Sequence, residues 1–165
     1  MTKKEKPADQ KGQPRRIANK RARFDYHILE VVECGLALLG TEAKSLRAGN
    51  ASLEGAYATI RGGQAYLVGC NIATYSHAAG DLQHDPLRDR KLLLHRRQLH
   101  ELQSLLDQKG RTLVPLAIYF KNGWAKCEIG AAVGKKDYDK RRAIQDRQQR
   151  REIDRQIRRP RRGEG

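Results

Sequence analysis

The most constraining feature of the sequence is a pair of apolar segments, 112–120 and 123–133, that meet at an Asn-Gly step. Asn122 and Gly123 both tolerate positive φ, and such a pair between apolar segments is the strongest short-range signal of a two-residue β-turn. The segments are therefore predicted to form an antiparallel hairpin. Pro115 has no amide hydrogen to donate, so the start of the first segment is expected at a sheet edge or a bulge.

Two more hairpins are predicted upstream. Segments 24–32 and 35–40 are rich in aliphatic residues and are separated by Glu33-Cys34-Gly35, where glycine would supply the positive φ of a turn. Segment 57–72 would turn at 61–64, which reads RGGQ. Three hairpins favour a mainly β fold, and six short strands of this kind suit a small closed antiparallel barrel.

Two helices are expected to accompany the strands. Thr41 is a candidate N-cap for a short helix that Gly49 would end. Over 95–109 four leucines recur at helical spacing, and Gly110 would stop this amphipathic helix.

The positive charge is concentrated at the two ends of the chain. Net charge is +15; segment 1–23 carries nine basic and two acidic residues, segment 134–165 carries thirteen and six, and the middle carries twelve and eleven. We therefore expect a disordered basic arm (1–16), a folded barrel (17–133) and a basic C-terminal tail (134–165). Charge in this arrangement favours polyanions, with nucleic acid ahead of an acidic membrane surface, although basic segments also serve as solubilising faces.

Composition disfavours several other classes of protein. No 18-residue apolar run is present, and the N-terminal lysines are not followed by the apolar segment of a secretory signal. Cys34, Cys70 and Cys127 are far apart and form no CxxC, so we expect small buried side chains in a reducing cytoplasm rather than a zinc site. No cofactor is indicated.

His84-Asp85, with Arg88 and Lys91 nearby, is the one group that could serve acid–base chemistry on RNA. It has neither a second histidine at a useful spacing nor an acidic cluster for two metals, so a solvated loop histidine is the favoured interpretation. We expect no catalytic residues and no enzyme.

Several segments together resemble one family, small protein B, whose members bind tmRNA in bacterial ribosome rescue. The matching pieces are NKRARFDYHI (19–28), ECGLALLGTEAKSLRAGNASL (33–53), HDPLRDRKLLLHRRQL (84–99), TLVPLAIYFKNG (112–123) and GKKDYDKR (134–141). The resemblance implies an oligonucleotide-binding (OB-type) barrel that grips the tRNA-like domain of tmRNA. It also implies delivery of alanyl-tmRNA to stalled ribosomes, with an elongation factor as an indirect partner and one tmRNA per monomer.

The resemblance also assigns candidate tmRNA-binding residues. The family's RNA-binding positions fall on Asn19, Glu33 and Leu93, and the further candidates are the cations Lys20, Arg21, Lys44, Arg47 and Lys91. Glu33 could accept hydrogen bonds from a guanine Watson–Crick edge, and Leu93 could pack on a sugar or an unstacked base. The alternatives are a core position for any one of Leu92, Leu93 and Leu94, and simple solvation for Lys44 and Arg47.

The tail carries the other motif of the family. Its positions are Gly134, Lys135, Lys136, Asp139, Lys140 and Arg141. Tyr138, which departs from the family pattern, and Ile157, a later apolar side chain, are further candidate ribosome contacts. We expect the tail to be disordered in the free protein. By resemblance it enters the small-subunit decoding centre and the empty mRNA channel and becomes helical there. The composition of the tail agrees with a helix that forms only on binding. It has strong helix formers, but its three large aliphatic side chains are too few for an apolar stripe that would stabilise the helix alone. Pro160 is expected to end the bound helix near Arg159.

Two other functions fit a barrel with basic arms. One is a ribosomal or ribosome-assembly protein whose arms thread through rRNA, and the other is a small RNA-processing enzyme. The motifs quoted above favour the tmRNA adaptor over both.

Overall fold

The computed structural model describes residues 16–78 and 83–158. In these ranges the strands are β1 (Ile17–Ala18), β2 (Tyr26–Leu36), β3 (Ala51–Ser52), β4 (Tyr57–Arg61), β5 (Gln64–Val68), β6 (Asn71–Ile72), β7 (Arg90–Leu93), β8 (Arg111–Lys121) and β9 (Trp124–Gly134). The helices are α1 (Ala22–Asp25), α2 (Gly40–Arg47), α3 (Arg96–Leu106) and α4 (Asp137–Arg158). The expected disordered arm lies outside these residues except for Arg16, and so does Pro160.

One large antiparallel sheet dominates the fold. Its strand order is β1-β8-β4-β5-β7-β2-β9, and β8 also pairs with β9. The pairings therefore run from β8 through β4, β5, β7, β2 and β9 back to β8. β3 and β6 form a separate two-stranded sheet. The prediction of a mainly β, antiparallel fold is confirmed.

Two of the three predicted hairpins are present. β4 and β5 pair from Tyr57–Val68 to Arg61–Gln64. β8 and β9 pair along their whole length and turn at Asn122 and Gly123, whose φ values are 51° and 81°. Positive φ at both central residues is the conformation that matches the twist of the flanking strands. The ladder between β8 and β9 shifts register between Pro115 and Ala117, which is the predicted bulge.

The predicted turn at Glu33-Cys34-Gly35 is wrong. These residues continue β2 and pair with Glu128, Cys127 and Lys126 of β9. The eleven-residue β9 supplies hydrogen-bond partners through this segment, so the chain has no reason to turn there. Gly35 serves close packing instead, because a Cβ at this position would lie 3.1 Å from the Cβ of Leu93 on β7.

Small and aliphatic side chains of the strands and helices form the core. Its fully buried members include Leu46 of α2, Leu67 of β5, Leu102 of α3 and Ile129 of β9. The predicted amphipathic helix is therefore confirmed, although it spans Arg96–Leu106 rather than 95–109. Within the described residues, no helix has the length and apolar character needed to cross a bilayer.

Candidate nucleic-acid interface

An open groove of about 1330 Å³ lies on the described surface. Its floor is formed by β2 and β7, and its walls by α2, the start of α3 and the β8–β9 hairpin. The groove brings together four of the candidate tmRNA-binding residues, namely Glu33, Arg47, Lys91 and Leu93. All four are exposed. They come from three elements that are distant in sequence but adjacent through the pairing of β2 with β7 and the packing of α2.

The structure decides which leucine of 92–94 faces the groove. Leu92 is 3% exposed and belongs to the core, whereas Leu93 is 52% exposed. Successive strand residues point to opposite faces, so only one of the two neighbours can be in the core. Leu93 lies opposite Gly35 of β2, where the absence of a side chain lets it lie flat against the neighbouring strand. The core alternative for Leu93 is excluded.

Glu33 is held by two residues of β8. The Tyr119 hydroxyl donates a hydrogen bond to its Oε2 atom, and Lys121 Nζ lies 3.3 Å from its Oε1 atom. The pKa of Glu33 is lowered, chiefly by the Tyr119 hydrogen bond, against an opposing effect of burial and with help from Lys121 and Lys126. The carboxylate is therefore ionised at neutral pH. It keeps part of its acceptor capacity, since a carboxylate can accept about four hydrogen bonds.

Aromatic side chains line the side of the groove formed by the β8–β9 hairpin. Trp124 is 74% exposed at the start of β9, and Phe120 carries the Arg47 guanidinium 4.9 Å from its ring centroid. Neither residue was predicted from the sequence, because the two lie on different strands and form no aromatic cluster along the chain. The hairpin turn and the pairing of β9 with β2 bring them to the groove instead. The signal in the sequence was the position of Trp124 directly after the predicted Asn-Gly turn.

The candidate residues Asn19, Lys20 and Arg21 lie outside the groove. The Asn19 amide donates to the carbonyls of Leu53 (3.2 Å) and Pro115 (3.0 Å), and its Oδ1 accepts from the Ala22 amide at 3.2 Å. Asn19 is therefore a structural residue that fixes the entry to α1. It lines a smaller hollow of about 440 Å³ with Arg21 and Tyr57.

Lys20 is exposed, and Arg21 pairs with Glu54 at 2.9 Å. That hydrogen bond is the main reason why the pKa of the Arg21 guanidinium is raised.

The segment GTEAKSLR forms α2, and the side chain of its glutamate, Glu42, faces the protein interior. Glu42 is completely buried, and its carboxylate binds Arg88 at 2.5 Å and Arg90 at 2.9 Å. It also accepts the Leu39 amide at 2.7 Å, so the N-terminal cap of the helix is this glutamate acting on Leu39. The prediction of Thr41 as N-cap is wrong, since Thr41 is already helical.

The two candidate cations of α2 contact different neighbours. Arg47 lines the groove, while Lys44 Nζ lies 5.3 Å from the ring centroid of Tyr75 in the following loop. Arg47 is positioned for the groove, whereas Lys44 is not among the residues that line it.

His84 is a structural residue. It is 5% exposed, with Nδ1 2.9 Å from Thr41 Oγ1 and Nε2 3.0 Å from the Ile72 carbonyl. Both ring nitrogens are thus occupied by partners inside the protein. Asp85 accepts the Leu87 amide at 2.9 Å and so caps a turn. The expectation that His84 is a solvated loop residue is wrong, because the ring fixes the loop to α2 and β6.

The tail begins against α1 through polar contacts. The Lys135 amide donates to the Asp25 carbonyl at 2.9 Å, Lys140 Nζ lies 3.8 Å from Asp25, and Asp139 lies 3.6 Å from His27. Gly134 is the last residue of β9 and pairs with Tyr26.

Lys136, just before α4, is exposed, and so are Tyr138, Arg141 and the whole of 144–155 in α4. Ile157 is 75% exposed. The structure thus contains a helix at the predicted tail; its disorder in the free protein stays a prediction.

The three cysteines are buried free thiols, as expected. Burial raises the pKa of Cys70 to about 11. Across residues 16–78 and 83–158, no three His, Cys, Asp or Glu side chains are grouped so that they could hold a metal ion.

Comparisons with known proteins agree on one family. The family model described as SmpB protein matches residues 16–159. An SsrA-binding protein of Anaeromyxobacter sp. (strain Fw109-5) is 51% identical over 144 residues, which are 87% of this chain and 87% of that protein. One of Synechococcus sp. (strain JA-3-3Ab) is 50% identical over 141 residues, 86% of this chain and 92% of that protein.

A solved structure described as "tmRNA-SmpB: a journey to the center of the bacterial ribosome" contains a similar chain. It matches with a TM-score of 0.63 and 49% identity, covering 74% of this chain and 85% of that one.

Proposed function

Because the chain belongs to the SmpB protein family, we propose that it is a non-enzymatic adaptor that binds the tRNA-like domain of tmRNA. It delivers alanyl-tmRNA, carried by an elongation factor, to stalled ribosomes and so enables peptide tagging and ribosome rescue. The observation that carries the proposal is the groove, which places Glu33, Arg47, Lys91 and Leu93 on one surface.

The groove offers each kind of contact that RNA recognition needs. Arg47 and Lys91 attract phosphates, which position the RNA without reading its sequence. Glu33 accepts hydrogen bonds from a base edge, a role that a cation cannot fill. Leu93 packs against a sugar or an unstacked base, and Trp124 offers a face on which a base can stack.

The remaining candidate residues extend the contact beyond the groove. Lys20 and Arg21 follow Asn19, whose three hydrogen bonds fix the backbone from which they project. Lys44 is exposed on α2, outside the groove lining. These three cations contact phosphates of the same RNA, and Asn19 acts by positioning two of them.

The tail occupies the decoding centre and the empty mRNA channel of the small subunit. Support comes from α4, whose side chains over 144–155 are exposed and whose first turn carries Tyr138, Asp139, Lys140 and Arg141. Anionic channel walls attract such a helix, and Ile157 provides an apolar contact. The free protein is a cytoplasmic monomer that binds one tmRNA, and the ring of pairings that starts and ends at β8 is an OB-type barrel.

Alanine substitutions of two exposed leucines test whether the groove binds tmRNA. Leu93 is 52% and Leu87 57% exposed, and only Leu93 lines the groove. Leu93→Ala is expected to weaken gel-shift binding to tmRNA by roughly fivefold to a hundredfold, about 1–3 kcal/mol, since it removes a sugar or base contact. Leu87→Ala is the matched control and is expected to bind as the unmodified protein does.

The RNA that copurifies with the protein tests the wider proposal. It is expected to be enriched in tmRNA for the unmodified protein and for Leu87→Ala, and depleted of tmRNA for Leu93→Ala. A pool made up of rRNA alone would instead favour a ribosome-assembly role and overturn the proposal.

A further inference from the structure

Tyr119 reaches across a strand to contact Glu33. Tyr119 on β8 pairs with Lys126 of β9, while Glu33 on β2 pairs with Glu128 of β9. Alternate residues share a face, so all four side chains lie on the same side of the sheet. The tyrosine ring spans the width of β9 and places its hydroxyl on the Glu33 carboxylate.

Four other charged side chains lie near Glu33 and Tyr119, namely Glu128, Arg16, Lys121 and Lys126. Glu128 faces Glu33 directly across the ladder, and Arg16 neutralises it at 2.6 Å. The Arg16 guanidinium also lies 5.1 Å from the centroid of the Tyr119 ring. Lys121 from β8 and Lys126 from β9 face Glu33 as well. The two carboxylates therefore have separate partners, and Glu33 is the one that lines the groove.

We propose that Tyr119 is a positioning residue for RNA recognition, which orients the Glu33 carboxylate so that its free lone pairs meet a nucleobase with two adjacent N–H donors, as guanine has on its Watson–Crick edge. The inference rests on the proposed function of the groove. An exposed glutamate has several rotamers, and a hydrogen bond from a rigid phenol removes that freedom before the RNA binds.

The electrostatics of the pair agree with this role. Burial, and then the bond to Glu33, raise the pKa of Tyr119, so its hydroxyl stays a proton donor. The same bond is the main cause of the lowered pKa of Glu33. Without the hydroxyl, the pKa of Glu33 returns toward its ordinary value, and the carboxylate is protonated at a higher pH than in the unmodified protein.

Tyr119→Phe tests the inference, because it removes the hydroxyl and keeps the ring. Tyr66→Phe is the matched control, since the Tyr66 hydroxyl binds Gln64 on the same sheet at 2.9 Å. Glu33→Gln reports on the carboxylate itself. Binding to the tRNA-like domain of tmRNA and to an unrelated structured RNA is measured by gel-shift from neutral pH to about pH 4. Circular dichroism at each pH verifies that each protein is folded.

For Tyr119→Phe we expect affinity for the tRNA-like domain to fall roughly three- to tenfold at neutral pH. Affinity for the unrelated RNA should be unchanged. The loss of specific binding on acidification should begin at a higher pH than in the unmodified protein. Tyr66→Phe should follow the unmodified protein, and Glu33→Gln should bind weakly.

Two sets of results would overturn the inference while leaving the groove intact. In the first, Glu33→Gln binds weakly but Tyr119→Phe matches the unmodified protein at every pH. In the second, Tyr119→Phe loses affinity for both RNAs equally and unfolds at a lower urea concentration. Normal binding by Glu33→Gln would instead reject the role of Glu33 in the groove, and with it the inference.

Discussion

Glu33 and Glu42 show how two glutamates of one protein receive different roles from their surroundings. Glu33 is exposed at the groove, where its remaining lone pairs are open to a ligand. Glu42 is completely buried and is satisfied by Arg88, Arg90 and the Leu39 amide. Arg90 is equally buried and also donates to the Cys70 and Pro86 carbonyls. This network joins α2 to the loop before β7. Strand β7 itself carries Lys91 and Leu93.

Glu42→Gln is therefore expected to lower the free energy of unfolding by about 3 kcal/mol, because it leaves the buried Arg90 guanidinium without its counter-charge. Urea unfolding measures this. The matched control is Glu101→Gln, which breaks an exposed pair with Arg97 and should change stability by less than about 1 kcal/mol. Equal effects of the two substitutions would show that the network contributes nothing beyond a surface ion pair.

The same residue predicts a pH dependence. Burial opposes ionisation of Glu42, but the hydrogen bonds from Arg88 and Leu39 and the charge of Arg90 outweigh it and hold the pKa below its ordinary value. A carboxyl whose pKa is lower in the folded state stabilises the fold above the unfolded pKa. That stability is lost as pH falls toward the folded value. The urea midpoint should thus fall more steeply below about pH 5 for the unmodified protein than for Glu42→Gln.

At the scale of elements, α4 differs from α2 and α3. Leu46 of α2 and Leu102 of α3 are buried in the core. By contrast, α4 and the short segment before it are held by polar contacts, those of Lys135, Asp139 and Lys140. Such exposed polar contacts stabilise a fold weakly. The tail should therefore be dispensable for the folded domain and needed only for its proposed partner, the ribosome.

Truncation after Gly134 is expected to change the unfolding free energy by less than about 1 kcal/mol and to leave tmRNA affinity nearly unchanged. It should abolish peptide tagging on stalled ribosomes. Asp139→Ala with Lys140→Ala and Arg141→Ala should have the same effect. Ile157→Pro should also impair tagging, since proline inside a helix costs about 3 kcal/mol. A tagging assay beside a gel-shift measures both properties; tagging by the truncated protein, or loss of its tmRNA binding, would refute the assignment.

At the scale of the whole molecule, the net positive charge and the groove lie in different parts of the chain. Segments 1–23 and 134–165 each carry a net +7, while 24–133 carries +1 and contains most of the groove. The ends should therefore dominate long-range attraction to RNA, and the groove should dominate selection.

Deletion of residues 1–15 is expected to reduce the slope of log K against log salt, because fewer counterions are released on binding. The preference for tmRNA over unrelated RNA should survive. Arg16 stays in this variant, so its contacts with Glu128 and Tyr119 are kept. Binding constants at several salt concentrations, for both RNAs, measure the effect. An unchanged slope with a lost preference would place specificity in the arm.

Local features of the sequence correctly predicted two hairpins, the amphipathic helix and the family. Asn122-Gly123 and the repeat of leucines in α3 act through neighbouring residues, so they can be interpreted without knowing what lies across the sheet. The motifs around Glu33, Arg47 and Leu93 identified the family in the same way. The mainly β class followed from the strands that these signals delimit.

Other features depended on partners that are remote in sequence, and only the tertiary structure decided them. Glu33-Cys34-Gly35 has the composition of a turn but forms a strand, because β9 offers it a complete ladder. Glu42 has the appearance of a surface helix residue but is buried, because Arg88 and Arg90, more than forty positions away, neutralise it. Strand pairing likewise turned Leu92 inward and Leu93 outward and brought Tyr119 to Glu33. A sequence shows which groups are available, but the free energy of burying a charge or continuing a strand depends on which partner the fold brings beside it.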